Sequence, residues 1–317
     1  MSGAPRLAIV IPVYGHPMLV TEALCSALAQ KAEFGIHIVA VNDGCPQQET
    51  HLVLSAFALA HPERVTCLTR PNGGLSAARN AGIAHVLAHL PSVEAVFMLD
   101  ADNRLRPQAM ARAMAQLEAH PEAGWVYPSI DMFGIPARCD YGGPYARLIH
   151  SEMNVSEAGS LIRRAVFEAG VLFDETFRQG FEDWHFFLSA GDAGFAGVNL
   201  EDFGFFYRKR PESMLANADR HRDALVAQVR RAHSDLYRSA MQLRLEHDEA
   251  PRYALWDSAR DAVRLVTDPE RAGPILSRAD YARAFWHSRT APAQARVPPF
   301  LVVADAALLQ WLSDTGT

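Results

Sequence analysis

The feature that most constrains this chain is a repeated alternation of short apolar runs with helical stretches, the runs ending in polar or glycine-rich clusters. Leu7–Tyr14 reads as a buried strand, and Pro17–Gln30 places Leu19, Ala23, Leu24, Ala27 and Leu28 on one helical side. Ile36–Val41 is a second strand, closed by Asn42, Asp43 and Gly44 and followed by a helix over Gln47–Ala60. Val65–Thr69 is a third strand, closed by Arg70, Pro71, Asn72, Gly73 and Gly74, with a helix over Leu75–Leu90. Val93–Leu99 is a fourth, closed by Asp100, Ala101 and Asp102, with a helix over Pro107–Ala119 before another strand begins at Trp125. Strands separated by helices of this length form βαβ units, so the fold class is α/β, a Rossmann-like, mainly parallel sheet with flanking helices. Ligands of such sheets collect outside the carboxyl ends of the strands, where all three polar clusters fall.

The rest of the chain is less regular. Residues 129–160 carry Pro136, Gly142, Gly143 and Pro144 and read as an irregular, acceptor-side region. Order resumes over Leu161–Tyr207, with helices expected near Arg163–Gly170 and from Glu182 to Ala190. Beyond Pro211 the composition shifts, and Ala216–Glu249 is expected to be helical, with further helical pieces at Tyr253–Val266, Asp280–Trp286 and Phe300–Leu312. The expected division is therefore a domain over residues 1–215 and a C-terminal helical extension over 216–317.

Composition narrows the function classes. The net charge of −6 argues against a nucleic-acid binder held by bulk positive charge. No apolar run reaches the ~20 residues that span a bilayer, and Leu7–Val13, interrupted by Pro12, reads as a strand rather than a secretory signal. Cys25, Cys45, Cys67 and Cys139 form no CxxC pair and no zinc-ligand spacing, which suits buried, reduced thiols in a cytoplasmic protein. Of the 30 basic residues only Lys31 and Lys209 are lysines, an arginine bias that coding composition explains.

The clusters each admit two readings. Asp100 and Asp102, at the exposed end of an apolar strand, either cap a helix with Asn103 or await a hard divalent ion, which takes one or two protein carboxylates plus phosphate oxygens. Asn42–Gly44 is an ordinary turn, or Asp43 accepts hydrogen bonds from a base or ribose. Gly73 and Gly74 allow close backbone approach before a helix start, and Arg79 lies one turn inside that helix, within reach of a phosphate. Glu182 and Asp183 are acids favoured at a helix start, or a general base beside an aromatic platform, Trp184. Arg208, Lys209 and Arg210 form a solvated basic turn or a clamp on a diphosphate.

Taken in order, these clusters resemble the family 2 glycosyltransferases of the GT-A fold. The resemblance runs from Leu7 to Ser213 and rests on Ile9–Tyr14, Val41–Gly44, Asn72–Gly82, Leu99–Asn103, Gly180–Trp184 and Tyr207–Ser213. It implies a metal-dependent, inverting transferase of polysaccharide or glycoconjugate biosynthesis. The sugar would pass from a nucleoside-diphosphate donor, UDP by family habit, to a hydroxyl of a glycan, lipid-linked or protein acceptor. Pro12, Val13 and Tyr14 would line the nucleotide pocket with Asn42 and Asn72, and Asp43 would hold the base or ribose. Arg79, Arg208 and Arg210 would meet the diphosphate. Asp100 and Ala101 would face the donor, and Asp102, with Asp100, would bind Mg²⁺ or Mn²⁺ in the manner of a DxD motif. Asp183 would be the catalytic base supported by Glu182, with Trp184 toward the acceptor.

Two departures stand out. Many relatives carry two acids where this chain has Asn42 and Asp43, and many have a histidine in the segment here holding Arg208, Lys209 and Arg210; His221 is the candidate substitute metal ligand. The expected location is cytoplasmic or peripheral at a membrane, with self-association through the C-terminal helices. The alternatives are a non-catalytic nucleotide-sugar-binding or assembly protein, and a sugar nucleotidyltransferase. The latter wants a basic Gly-rich loop after the first strand, which Tyr14, Gly15, His16 and Pro17 do not supply.

Overall fold

A computed structural model describes residues 4–133, 145–208, 221–249, 253–257, 260–266 and 275–278. The chain divides into two compact units, one of residues 1–142 and 155–233, the other of 143–154 and 234–317.

In the first unit the apolar runs become strands as expected: β1 (Pro5–Val13), β2 (Gly35–Asn42), β3 (Val65–Thr69) and β4 (Ala95–Met98). They alternate with helices α1 (Pro17–Leu28), α2 (Gln48–Ala60), α3 (Leu75–His89) and α4 (Ala109–Ala119). After β4 come the short β5 (Arg104–Leu105), then β6 (Ala123–Phe133), β7 (Leu161–Arg163) and β8 (Ala196–Arg208). The eight strands form one sheet in the order β3-β2-β1-β4-β7-β6-β8-β5. β1 pairs in parallel with β2 and β4, β2 with β3, and β6 with β8; β7 runs against both β4 and β6, and β5 against β8. Leu7–Ile11 and Ile38–Val41 are wholly buried, because helices cover both faces and leave no solvated side to alternate with.

The reversed strands place the site. Since β7 is antiparallel to β4, with Phe97 opposite Leu161, the turn that precedes β7 meets the carboxyl end of β4. Since β5 is antiparallel to β8, with Arg104 opposite Phe206, the carboxyl end of β8 returns beside residues 102–103. Helices α6 (Arg164–Glu168) and α7 (Glu182–Asp192) follow β7, and α8 (Arg222–Ala232) closes the described part of this unit.

The second unit contains α5 (Arg147–Glu152), α9 (Ser239–Glu249) and the strands β9 (Tyr253–Asp257), β10 (Ala262–Val266) and β11 (Ile275–Ser277). Glu249 accepts a hydrogen bond from the Leu148 N–H at 2.8 Å, at the start of α5, and the Tyr237 hydroxyl donates to the Ser151 carbonyl at 2.6 Å. The helix expected over Tyr253–Val266 is instead an antiparallel pair, β9 against β10, which β11 extends to three strands. Its Tyr, Leu, Trp and Val content fits a pleated surface better than a helix, and short apolar runs do not separate the two by period alone. The helix expected over Ala216–Glu249 is interrupted between α8 and α9, and α8 groups with the first unit although the expected boundary lay at residue 215. The helices expected at Asp280–Trp286 and Phe300–Leu312 lie outside the described residues, as does Cys139. Cys25 is exposed rather than buried.

Candidate active site

The strand ends line up at one edge of the sheet. The Asp43 N–H donates to the Val13 carbonyl at 2.9 Å, and the Leu99 N–H to the Val10 carbonyl at 3.0 Å. Pro12 and Val13 are buried in β1, while Tyr14 is 56% exposed just beyond it. Asp43, expected on the base or ribose, is instead buried and turned onto the next loop. Its carboxylate accepts the Gly74 N–H at 2.7 Å and the Asn72 Nδ2 at 3.1 Å, and pairs with Arg70 at 3.2 Å. It also accepts the Gly73 N–H at 3.1 Å. A buried carboxylate must spend its lone pairs on donors, and this loop supplies them. Asn42 is likewise inward: its Oδ1 accepts the Cys45 N–H at 2.9 Å, and its Nδ2 lies 3.1 Å from His51. Asn42, Asp43 and Asn72 thus shape the rim between the ends of β2 and β3 by locking two loops together.

The chain leaves the strand after Met98. Asp100–Asn103 form a turn closed by the Asn103 N–H on the Asp100 carbonyl at 3.0 Å, which sets the two aspartates. Arg208 braces that turn from β8. Its N–H donates to Asn103 Oδ1 at 2.9 Å, its Nε to the Asp102 carbonyl at 3.0 Å, and its Nη2 to Glu22 of α1 at 2.6 Å. Arg208, expected on the diphosphate, therefore spends three donors on the protein. Lys209 and Arg210 lie outside the described residues.

Three acids from separate parts of the chain meet here. Burial, and then the charges of Asp100 and Asp183, push the Glu157 carboxyl well above the usual carboxylate range. Burial, and then Glu157, Asp100, Asp183 and Asp102, likewise push the Tyr207 hydroxyl above its ordinary value. Glu157 sits in a tight turn, where its side chain accepts the Gly159 N–H and its carbonyl accepts the Ser160 hydroxyl at 2.6 Å. A Cβ at Gly159 would come within 2.5 Å of both the Glu157 carboxylate and the Phe205 ring, so only glycine fits. The sequence reading placed residues 129–160 on the acceptor side and missed Glu157; the run of Ala158, Gly159 and Ser160 before an apolar strand was the available signal.

One buried cation holds the cluster. Arg79, 1% exposed, donates Nη2 to Asp100 and Nη1 to Glu182, each at 2.8 Å, with its guanidinium 5.0 Å from the centroid of the Phe173 ring. Burial alone would lower its pKa, but the two carboxylates outweigh that and raise it. Arg79 is therefore turned onto two acids beneath the site, where a phosphate contact had been expected. This bridge ties the end of β4 to the first turn of α7 and so brings Asp183 to Asp100. Phe181, immediately before α7, has φ 63°, a left-handed conformation that an aromatic residue adopts at a cost. The Trp184 N–H donates to the Asp183 carboxylate at 2.7 Å. Trp184 itself is 2% exposed and packs edge-on against Phe181, so it is a core residue here where an acceptor platform had been expected.

The donor set suits a hard cation. Asp100 and Asp102 share one turn, and carboxylate oxygens are the ligands a divalent ion takes. Among the described residues no three His, Cys, Asp or Glu side chains form a metal-holding group. His221, exposed just before α8, is not brought into such a group.

Comparison with known proteins places this geometry in context. A family model described as Glycosyl transferase family 2 matches residues 8–169. The succinoglycan biosynthesis protein ExoW of Rhizobium meliloti (strain 1021) is 33% identical over 109 residues, which cover 34% of this chain and 33% of that protein. The uncharacterised glycosyltransferase EpsJ of Bacillus subtilis (strain 168) is 24% identical over 225 residues, 66% of this chain and 63% of that one. The chain spans about a third or less of the length of the first curated relatives it matches. Among solved structures, S. aureus TarS superposes with a TM-score of 0.54 at 18% identity, covering 77% of this chain and 42% of that one. The mannosyltransferase PcManGT from Pyrobaculum calidifontis, in complex with GDP-Man and Mn²⁺, superposes at 0.53 with 16% identity, covering 78% and 76%. At these identities the two structures speak for the fold, which is that of the GT-A glycosyltransferases.

Proposed function

The chain belongs to glycosyl transferase family 2, and on that premise we propose that it moves a sugar from a nucleoside-diphosphate donor to an acceptor hydroxyl in one in-line, inverting displacement, with Asp183 as general base. The observation that carries this reading is the buried Arg79 bridge, which ties Asp100, at the end of β4, to Glu182, the neighbour of Asp183 in the first turn of α7. An alcohol is a poor nucleophile until a carboxylate takes its proton, and Asp183 is partly exposed at a helix start while Glu182 behind it is buried on Arg79. Glu182 then acts as a positioning residue through Arg79 rather than as a second base.

Mg²⁺ or Mn²⁺ fits the acid-rich turn, where Asp102, with Asp100 beside it, would hold the ion. Bound there, it would neutralise charge growing on the leaving diphosphate. Tyr14 lies at the donor end with Pro12 and Val13 beneath it, and the Asp43-locked loops form the rim for the nucleoside. Uridine is our first choice of base; the GDP-Man in PcManGT makes guanosine the second arm of any screen. A glycan acceptor suits the family. No helix among the described residues is long and apolar enough to cross a membrane, and we place the protein in the cytoplasm or peripherally at a membrane.

Asp183→Asn tests the assignment. It should keep the fold and donor affinity yet lose transfer by about 10²–10⁴-fold, the range for a general base, measured by steady-state kinetics beside titration calorimetry. Near-normal turnover removes Asp183 as base. Wild-type binding of nucleotide sugar without transfer or hydrolysis on any donor and acceptor would favour a non-catalytic binding protein instead.

A further inference from the structure

Beyond the acid cluster, the first unit holds a second chain of titratable groups that the transfer reaction does not use. His185 lies two residues past Asp183 on α7. Its Nδ1 is 2.8 Å from Nε2 of His233, the residue that follows α8. Nδ1 of His233 is in turn 2.6 Å from the carboxylate of Asp192, at the far end of α7. On its other side His185 faces Asp174 at 3.8 Å, and the Phe177 ring stacks on it at 4.6 Å with the planes 9° apart. His233 is 4% exposed. The facing nitrogens point at one another rather than at a common centre, and no metal-holding group exists among the described residues.

Proton counting fixes the arrangement. A carboxylate only accepts, so His233 Nδ1 carries a hydrogen toward Asp192. The 2.8 Å gap between the rings has room for one hydrogen. The pair can then be neutral, or carry one extra proton on the His185 nitrogen that faces Asp174. A further proton would set two N–H groups face to face and break the contact. Burial, and then the charge of His233, pull His185 down to about 4, with Asp174 and Asp192 opposing. The same helix reaches the other end of the first turn of α7: the Arg222 guanidinium lies 5.7 Å from the ring centroid of Phe181, the left-handed residue that precedes Glu182 and Asp183.

We propose that His185 and His233 are positioning residues for transfer: through their hydrogen bond α8 clamps α7 and holds its first turn, and with it the Asp183 carboxylate, in the place where an acceptor hydroxyl loses its proton. This rests on the reading of Asp183 as base. The alignment is worth rate because a small misplacement of a reacting group is costly, while donor binding, governed by the strand ends, is left alone.

The test uses the full chain with His233→Ala, His233→Gln and Asp183→Asn. Turnover is read as nucleoside diphosphate released from UDP-glucose or GDP-mannose with Mn²⁺, as kcat and donor KM, and hydrogen exchange of the 182–186 amides is read by mass spectrometry. His233→Ala should lower kcat about ten- to a hundredfold with donor KM little changed and speed exchange in the first turn of α7. His233→Gln, which keeps one hydrogen bond, should recover part of kcat. Unchanged kcat and exchange in His233→Ala, with Asp183→Asn inert, overturns the clamp alone. A kcat loss that follows only the folded fraction, measured by thermal melting, overturns it as well. An Asp183→Asn variant that still turns over donor overturns the base assignment and the clamp with it.

Discussion

Glu157 shows what a single side chain can do without a motif around it. Its turn carries it beside Asp100 and Asp183 because β7 runs against β4, and its carboxyl is held well above the ordinary value of 4.5. The sign of its effect on stability follows. As pH rises past 4.5, the unfolded chain gives up a proton that the folded protein keeps, so stability falls until the folded group also ionises. Glu157→Gln has no such proton. In EDTA the variant should melt with the wild type at pH 4 and above it at pH 8, the gap being about 1.4 kcal/mol for each pH unit by which the native carboxyl is raised. Equal melting temperatures at both values would show that the carboxyl titrates normally. Trp184 makes the opposite point. Its place next to an acid suggested a sugar platform, yet its 2% exposure makes it a wall of the core, and only packing could decide between the two.

At the scale of elements, the helices and strands of residues 5–119 follow their apolar periodicity closely, and the departures lie in the connections. The Asp100–Asn103 turn is held from β8, more than a hundred residues away, where Arg208 donates its Nε to the Asp102 carbonyl and its N–H to the Asn103 side chain. The Asp43 rim is another case, in which two loops adjoin only because β2 and β3 pair in parallel. Gly44 is the hinge of that rim, with φ +67°, and a Cβ there would come within 2.6 Å of the Asn72 nitrogen. Gly44→Ala should therefore destabilise the protein by at least ~1–2 kcal/mol, the cost of a left-handed residue. It should also weaken donor binding as the Asp43 contacts shift. Urea unfolding together with donor calorimetry checks both, and an unchanged midpoint would mean that the loops part without cost. The tail illustrates the limit of periodicity, since five-residue apolar stretches such as Tyr253–Asp257 carry too little pattern to separate strand from helix.

For the whole molecule the measurable quantity is ligand-linked stability. A donor present at 100 times its dissociation constant should stabilise the native state by about 2.7 kcal/mol. A thermal-shift screen of UDP- and GDP-sugars with and without Mn²⁺ should show a rise that needs the metal, and Asp102→Ala should remove the metal-dependent part. A shift insensitive to EDTA would leave Asp102 without its proposed role. The sequence by itself determined the α/β class, the sheet's first four strands and the polar clusters at their ends, because burial on both faces and helix period are local properties written in consecutive residues. The tertiary structure alone decided which side chains share a space: that Arg79 lies under the site between Asp100 and Glu182, that Asp43 binds its own loop, and that Glu157 joins the acids. Those pairings depend on strand direction and on charge neutralised in a buried setting, and neither is carried by neighbouring letters.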